Sequence, residues 1–216
     1  MYRMTLAGAA IVLAAVIGLS AGPGLAMAHG GAHGAMAMGS MQMGEELAPA
    51  PLDGSSIYQL GSEWKDDRGA EVSISALRGH PVVLAMVYTS CEHACPVIVE
   101  DMKRIEQSLP PEQRKRVTFA LFSFDPKRDT PAALAAYRAK RGLADKRWQL
   151  FTGDADEVLE LAVVLGVQYR PDGFGGFSHS NLVSLLDADG VVHYRLVGLH
   201  ADPAPLLQSL HGMLGG

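Results

Sequence analysis

The feature that most constrains the fold is a continuous apolar run that passes directly into a pair of cysteines. Residues 82–88 are all apolar or aromatic, Cys91 and Cys95 follow, and Pro96 comes after the second cysteine. An uninterrupted apolar run of this length is typical of a strand buried on both faces of a parallel sheet. Proline is favoured in the first turn of a helix. The sequence therefore predicts a strand, a cysteine-bearing turn and a helix in immediate succession.

Further strands and helices alternate along the rest of the chain. The apolar run at 117–124 predicts a second buried strand. Thr130 and Pro131 have the residue types of an N-cap and a first helical position, and Gly142 has that of a helix end. The remaining patterns predict strands at 72–76, 148–152, 182–186 and 191–197, and helices at 96–109, 154–165 and 203–214. This order predicts an α/β, thioredoxin-like fold, a central mixed sheet flanked by helices, over residues 57–216.

The N-terminal residues have the pattern of an export signal. Arg3 precedes an uncharged apolar stretch at 6–19, and the small residues at 26–28 fit a cleavage site. We expect residues 1–28 to be a signal peptide or, if uncleaved, an N-terminal anchor that is the protein's sole contact with a membrane. A disordered arm and linker rich in Met and His is expected at 29–56. The expected location is the periplasm or another compartment outside the cytoplasm.

The charge balance excludes nucleic acid as the main partner. The chain has 18 Lys and Arg against 23 Asp and Glu, a net charge of −5, and no long basic block. A protein that binds nucleic acid or anionic lipid through its surface carries a basic patch or stripe. The expected partner is therefore another protein or a small ion.

The two cysteines indicate redox or metal chemistry. They are the only cysteines in the sequence, and Cys95 follows Cys91 by four residues. A disulfide across so short a loop would stabilise the fold little, whereas close thiols in an exported protein suit redox or metal binding. A helix N-terminus lowers the pKa of a nearby thiol. In a redox pair, Cys91 would be the attacking thiolate and Cys95 the resolving thiol.

A histidine is expected to meet these cysteines. Redox thioredoxins have two residues between their cysteines and a cis-proline beside them, whereas this chain has three intervening residues and no proline between Phe177 and Asn181. His179 lies in that segment, immediately before a predicted core strand. Two thiolates and an imidazole suit Cu(I) or Cu(II) by their softness.

Three segments resemble the Sco/SenC copper chaperones in order and spacing. They are Cys91–Pro96 as C-x-x-x-C-P, Asp125–Pro131, and His179 with the following serine. The resemblance covers roughly residues 57–214. It implies a thioredoxin-like fold, copper ligands at Cys91, Cys95 and His179, and delivery of copper to a copper-accepting protein. The acceptor that the family implies is a cytochrome c oxidase subunit with a copper A centre.

Two residues beside the expected ligands depart from the family pattern. Glu92 follows the first cysteine, where family members commonly have Pro, and Ser178 precedes the histidine, where they commonly have Asp. Groups around a metal ligand orient it. The sequence therefore leaves the orientation of His179 open.

The predicted arm contains candidates for a second, weaker copper site. Thioether and imidazole groups are ligands for Cu(I) and Cu(II), and methionine is unusual in a linker because it is readily oxidised. The candidate ligands are His29, His33, Met36, Met38, Met41 and Met43 in the arm, together with His93 between the cysteines.

These patterns leave two functional hypotheses. The first is a metallochaperone without catalytic turnover, in which a disulfide between Cys91 and Cys95 would abolish the copper site. The second is an enzyme, a thiol–disulfide oxidoreductase that reduces the cysteines of a copper-accepting protein. Asp125 and Asp129 are interpreted as a strand exit and part of a helix cap, with no chemical role. The glycines that precede His179 are interpreted as a loop.

Overall fold

The computed structural model describes residues 55–143 and 146–215. The predicted signal peptide at 1–28 and the six candidate ligands of the arm lie outside these residues. Within the described part of the chain, no helix is long and apolar enough to cross a membrane.

A seven-stranded mixed sheet forms the centre of the fold. Its strand order is β2-β1-β5-β4-β3-β8-β9, and β3, β4 and β5 run parallel while the other neighbours are antiparallel. The strands are β1 (Glu63–Asp66), β2 (Glu71–Ser73), β3 (Val82–Val87), β4 (Thr118–Ser123), β5 (Trp148–Thr152), β8 (Leu182–Leu186) and β9 (Val192–Val197). The predicted α/β fold with a central mixed sheet is confirmed.

Helices pack against this sheet, and α3 and α4 begin at side-chain caps. The helices are α1 (Ala94–Ser108), α2 (Pro111–Arg114), α3 (Pro131–Arg141), α4 (Ala155–Leu165) and α5 (Ala204–Leu214). The Thr130 hydroxyl accepts a hydrogen bond from the Ala133 N–H at 3.3 Å, and Gly142 ends α3 in the left-handed conformation. Asp154 and Glu157 form a capping box at the start of α4.

Several boundaries differ from the sequence prediction. The predicted strand at 72–76 ends at Ser73, and Ile74–Leu77 forms a short 3₁₀ helix. Helix α1 begins at Ala94, two residues before Pro96, so that Cys95 lies in its first turn. Strand β1, which lies between β2 and β5, was not predicted. It is only four residues long, and its inward positions, Trp64 and Asp66, include a charged residue.

The predicted glycine loop before His179 is the turn of a short hairpin whose strands were not predicted. Strand β6 (Tyr169–Pro171) pairs antiparallel with β7 (Phe177–His179), and the two form a separate small sheet. Gly173 and Gly175 have φ values of 82° and 87°, a conformation that glycine adopts without a steric penalty. Three-residue strands are too short to show an apolar period in the sequence.

The register of the two central strands brings together the loops that form the site. In the parallel pair β3 and β4, Val87 lies opposite Ser123, the last residue of β4. Every residue of both strands is buried. The cysteine-bearing loop after β3 and the loop at 124–130 after β4 therefore leave the sheet side by side at its carboxyl edge, where ligands bind in open α/β sheets.

Candidate metal centre

The two cysteine sulfurs are held at the start of α1. The Cys91 N–H donates to the Tyr88 carbonyl at 3.3 Å, which closes a turn directly after β3. The Cys95 N–H donates to the Cys91 sulfur, also at 3.3 Å, so that Cys91 accepts a hydrogen bond from the first turn of the helix. Cys91 is 7% exposed and Cys95 is fully buried. Neither cysteine forms a disulfide.

His179 reaches the cysteines from the end of β7. Its Nε2 lies 3.6 Å from the Cys95 sulfur, although the two residues are 84 positions apart in the chain. The ligand atoms of Cys91, Cys95 and His179 all lie within 4.8 Å of one another. Among the described residues, these three form the one group of at least three Cys, His or carboxylate side chains that could hold a metal ion together.

A backbone carbonyl and aromatic rings orient the imidazole. The Nδ1 of His179 lies 3.0 Å from the Ser180 carbonyl oxygen. Since a carbonyl can only accept, Nδ1 carries the proton in the neutral ring, and the Nε2 lone pair faces the sulfurs. The ring packs against Phe124 and Tyr88, with centroid distances of 5.1 Å and 6.0 Å. Ser178 is exposed, and the hydrogen-bond partner of Nδ1 is the Ser180 carbonyl.

The two thiols have opposite protonation preferences. A hydrogen bond from Cys95, with others from backbone N–H groups, lowers the pKa of Cys91 well below its usual range, although burial opposes this change. The hydrogen bond to Cys91 raises the pKa of Cys95, and burial raises it further. The metal-free site therefore holds one thiolate, on Cys91, and one thiol, on Cys95, and a metal ion that binds both sulfurs displaces the remaining proton.

The structure separates His93 from this cluster. His93 is exposed beside the start of α1 and does not belong to the group of converging ligands. The candidate ligands of the arm lie outside the described residues. The converging donors are two sulfurs and an imidazole nitrogen with no carboxylate among them, which fits soft or borderline transition metals such as copper and disfavours Mg²⁺ or Ca²⁺.

The loop at 124–130 has a structural role that the sequence interpretation missed. Asp129 is fully buried, and its carboxylate accepts hydrogen bonds from the Thr89 N–H at 2.9 Å and the Ser123 hydroxyl at 2.6 Å. Asp125 is also buried and binds Arg128. The Thr130 side chain is sufficient to cap α3. The acidic residue directly before it was therefore a sequence signal for hydrogen-bond partners outside the cap.

Comparison with known proteins identifies a family and its fold. The model of the SCO1/SenC family matches residues 58–215. The SCO1 protein homolog of Bacillus subtilis is 26% identical over 143 residues, which cover 65% of this chain and 74% of that protein.

Solved structures show the same fold. ScoI of Bradyrhizobium japonicum, solved with copper bound, has a TM-score of 0.59 at 24% identity and covers 70% of this chain and 96% of its own. BsSco, described as a member of the Sco family of cytochrome c oxidase assembly proteins with a disulfide switch, has a TM-score of 0.61 at 24% identity and covers 70% and 90%. The thioredoxin-like architecture expected from the sequence is thus confirmed.

Proposed function

Because the chain belongs to the SCO1/SenC family, we propose that it is an exported copper metallochaperone that holds one copper ion through Cys91, Cys95 and His179. The observation that carries the proposal is the convergence of two sulfurs and one imidazole nitrogen within 4.8 Å. Thiolate and imidazole are ligands that copper prefers in proteins. The copper-bound ScoI of Bradyrhizobium japonicum, which has the same fold, supports copper as the cargo.

Delivery requires that the ion leave the site by ligand exchange with an acceptor protein. His179 is partly exposed at the end of a small hairpin, whereas Cys95 is fully buried. We therefore expect the imidazole to be the first ligand that an acceptor replaces and Cys95 the last. The description of BsSco as a cytochrome c oxidase assembly protein supports an oxidase subunit as the acceptor. Export through residues 1–28, cleaved or retained as an anchor, would place the protein in the periplasm.

The deciding experiment is a copper titration of the reduced protein beside the same protein with a Cys91–Cys95 disulfide. Tight one-to-one binding only by the reduced form is expected, because a disulfide leaves neither sulfur as a thiolate. His179→Ala should weaken binding more than about 100-fold, beyond the effect of losing a group that merely orients a ligand. If reduced wild-type protein binds no copper, the metallochaperone proposal is wrong.

The Met- and His-rich arm is proposed to bind copper at a second, weaker site. Its six candidate ligands are the thioether and imidazole side chains at 29, 33, 36, 38, 41 and 43. Deletion of residues 29–44 should lower the copper stoichiometry and leave the Cys91, Cys95 and His179 site occupied. Replacement of the four methionines by leucine is the matched control, since it keeps the length and apolar character of the arm. An unchanged stoichiometry after the deletion would reduce the arm to a tether.

The unequal thiols favour a second candidate function, thiol–disulfide exchange. The lowered pKa of Cys91 and the raised pKa of Cys95 are the properties of an attacking and a resolving cysteine. The Cys91 thiolate would attack a disulfide in a partner and form a mixed disulfide. Cys95, after losing its proton, would then attack the Cys91 sulfur and release the partner's second sulfur as a thiolate. The partner's disulfide is thereby reduced by two electrons, and Cys91 and Cys95 are oxidised to a disulfide. His179→Ala distinguishes the functions, because it should abolish tight copper binding and leave exchange largely intact.

A further inference from the structure

The side chain of Arg128 contacts both the cysteine loop and the β6–β7 hairpin that carries His179. Its guanidinium donates one hydrogen bond to the Asp125 carboxylate and another to the Gly175 carbonyl in the turn of the β6–β7 hairpin. The same group lies over the rings of Tyr88 and Phe177, at 5.9 Å and 5.7 Å from their centroids. Tyr88 begins the cysteine loop, and Phe177 lies two residues before His179.

The loop at 124–130 fixes the position of Arg128. The Asp125 side chain is 5% exposed, and the Arg128 and Asp129 N–H groups both donate to the Asp125 carbonyl, at 3.1 Å and 2.9 Å. A guanidinium presents several N–H donors in a rigid plane, so it can bind a carboxylate and a carbonyl at once and still stack on aromatic rings. The loop at 124–130 therefore holds Arg128 independently of its contact with the hairpin.

The hairpin contacts the rest of the fold through side chains and not through strand pairing: the rings of Tyr169 and Phe177 pack on Phe124, at centroid distances of 5.2 Å and 5.5 Å. Strands β6 and β7 are not hydrogen-bonded to the seven-stranded sheet. Asp172 accepts hydrogen bonds from the N–H groups of Phe174 and Gly176, which lie in the hairpin's own turn. The tip carries Phe174, which is 96% exposed. The Phe177 N–H donates to the Tyr88 hydroxyl at 3.3 Å, so Tyr88 and Arg128 hold the same part of the hairpin.

We propose that Arg128 is a positioning residue for copper, which holds the β6–β7 hairpin, and with it the His179 imidazole, against the cysteine loop. The proposal rests on the proposed function of the site and adds a residue that is not itself a ligand. Without Arg128, the two cysteines still bind copper, but the imidazole leaves the ion more often. The copper complex then approaches the properties of a site with two sulfur ligands alone.

The first test compares Cu(II) binding by reduced wild-type protein, Arg128→Ala and Arg128→Lys. Arg128→Ala should weaken binding about 10- to 100-fold, the range for groups that orient metal ligands. The nitrogen splitting in the electron paramagnetic resonance spectrum should weaken in parallel. Arg128→Lys should restore part of the affinity, because an ammonium keeps the charge but cannot bind both oxygens as a planar fork does.

Arg104→Ala is the matched control. Arg104 and Arg128 each bind a buried aspartate three residues earlier, Asp101 and Asp125, and their side chains are exposed to nearly the same extent, 49% and 44%. Arg104 lies on α1, nine residues beyond Cys95 and about 13 Å along the helix. Its loss should leave copper affinity and the nitrogen signal unchanged. An equal effect of both variants would overturn the proposal.

A double-mutant cycle separates positioning from general stability. If Arg128 acts through the imidazole, Arg128→Ala should weaken binding in the wild-type background and have almost no further effect on His179→Ala. Independent, additive losses would overturn the proposal. If wild-type protein itself binds no copper, the proposed function fails, and the metal-free measurement below still decides whether Arg128 holds the hairpin.

Hydrogen exchange of the metal-free protein gives that measurement. The amides at 169–179 should exchange about 10-fold faster in Arg128→Ala, while the amides of β3 and β4 keep their wild-type rates. Arg104→Ala should leave the hairpin rates unchanged. Unaltered hairpin exchange in Arg128→Ala would show that Tyr88 and the hairpin's own hydrogen bonds are sufficient, and the proposal would be wrong.

Discussion

At the scale of single residues, the sequence did not predict the hydrogen bonds by which Asp129 holds the start of the cysteine loop. Its carboxylate accepts hydrogen bonds from the Thr89 N–H, the Thr89 hydroxyl and the Ser123 hydroxyl, at 2.9, 2.5 and 2.6 Å. Thr89 lies two residues before Cys91. A buried carboxylate is tolerated because these donors replace the water that it loses. Asp129 thus fixes the point at which the chain leaves β3.

We predict that Asp129→Ala lowers the free energy of unfolding by about 3 kcal/mol. The substitution leaves buried donors without an acceptor, and each unpaired group costs about 1–3 kcal/mol. Urea denaturation measures the change. Asp202→Ala is the control, since Asp202 is exposed and accepts one hydrogen bond, from the Ala204 N–H. Similar losses in both variants would contradict this role of Asp129.

The two thiols should differ in reactivity. At neutral pH, iodoacetamide should modify Cys91 well before Cys95, because the thiolate is the reactive form and Cys95 is fully buried with a raised pKa. Tandem mass spectrometry assigns the label, since fragment ions distinguish the two positions. Protein unfolded in guanidinium should label both cysteines at similar rates. Equal labelling in the folded protein would rule out the assignment of thiolate and thiol.

Among the secondary-structure elements, the β8–β9 hairpin depends on a glycine for two separate reasons. Gly190 has φ +81°, and a Cβ at this position would lie 2.6 Å from the Tyr58 ring. The Gly190 carbonyl also accepts a hydrogen bond from the Ile57 N–H at 3.0 Å. The turn therefore joins the start of the folded domain to the edge of the sheet.

Two glycine substitutions separate backbone strain from steric conflict. Gly198 has φ +96°, and a Cβ added there would have no neighbouring atom within 4 Å, so Gly198→Ala tests strain alone. It should cost about 1–2 kcal/mol of unfolding free energy. Gly190→Ala should cost about 1–3 kcal/mol more, since the Tyr58 ring must also move. Equal losses in urea denaturation would show that the ring moves freely.

For the whole molecule, hydrogen-bonded carboxylates make the free energy of unfolding depend on pH in acid. Burial acts to raise the pKa of Asp66, but hydrogen bonds from Arg68 and from the Ala70 N–H outweigh it and lower the pKa below 3.8. Burial also opposes the shift at Asp187, where the N–H of Val191 and the side chain of His193 lower the pKa below the same value. Both carboxylates are therefore stabilised in the charged form by folding.

The sign of the effect follows from linkage. A carboxyl group with a lower pKa in the folded state contributes its full stabilisation above the unfolded pKa and loses it as pH falls through the folded pKa. The free energy of unfolding should therefore decrease as the solution is acidified from about pH 5 to pH 2. Asp66→Asn should flatten this decrease, and Asn at the exposed Asp156 should have a smaller effect. Identical pH slopes for both variants would contradict the prediction.

The sequence by itself determined the elements whose signals are local. The apolar runs at 82–88 and 117–124 identified the two central strands, because burial on both faces selects apolar residues at consecutive positions. Thr130 and Gly142 marked the ends of α3, since caps satisfy backbone groups within one turn. The cysteine pair was also local, because a separation of four residues keeps the two side chains close together in a tight turn.

The sequence predicted that His179 meets the cysteines, and only the tertiary structure decided the geometry of that contact and the contact of Arg128 with the hairpin. His179 lies 84 residues from Cys95, and Arg128 lies 47 residues from the Gly175 carbonyl that it binds. Neither contact has a periodic pattern, because each depends on the register of β3 against β4 and on a hairpin of two three-residue strands. Caps and apolar periods act over a few residues, whereas such contacts exist only after the whole sheet has packed.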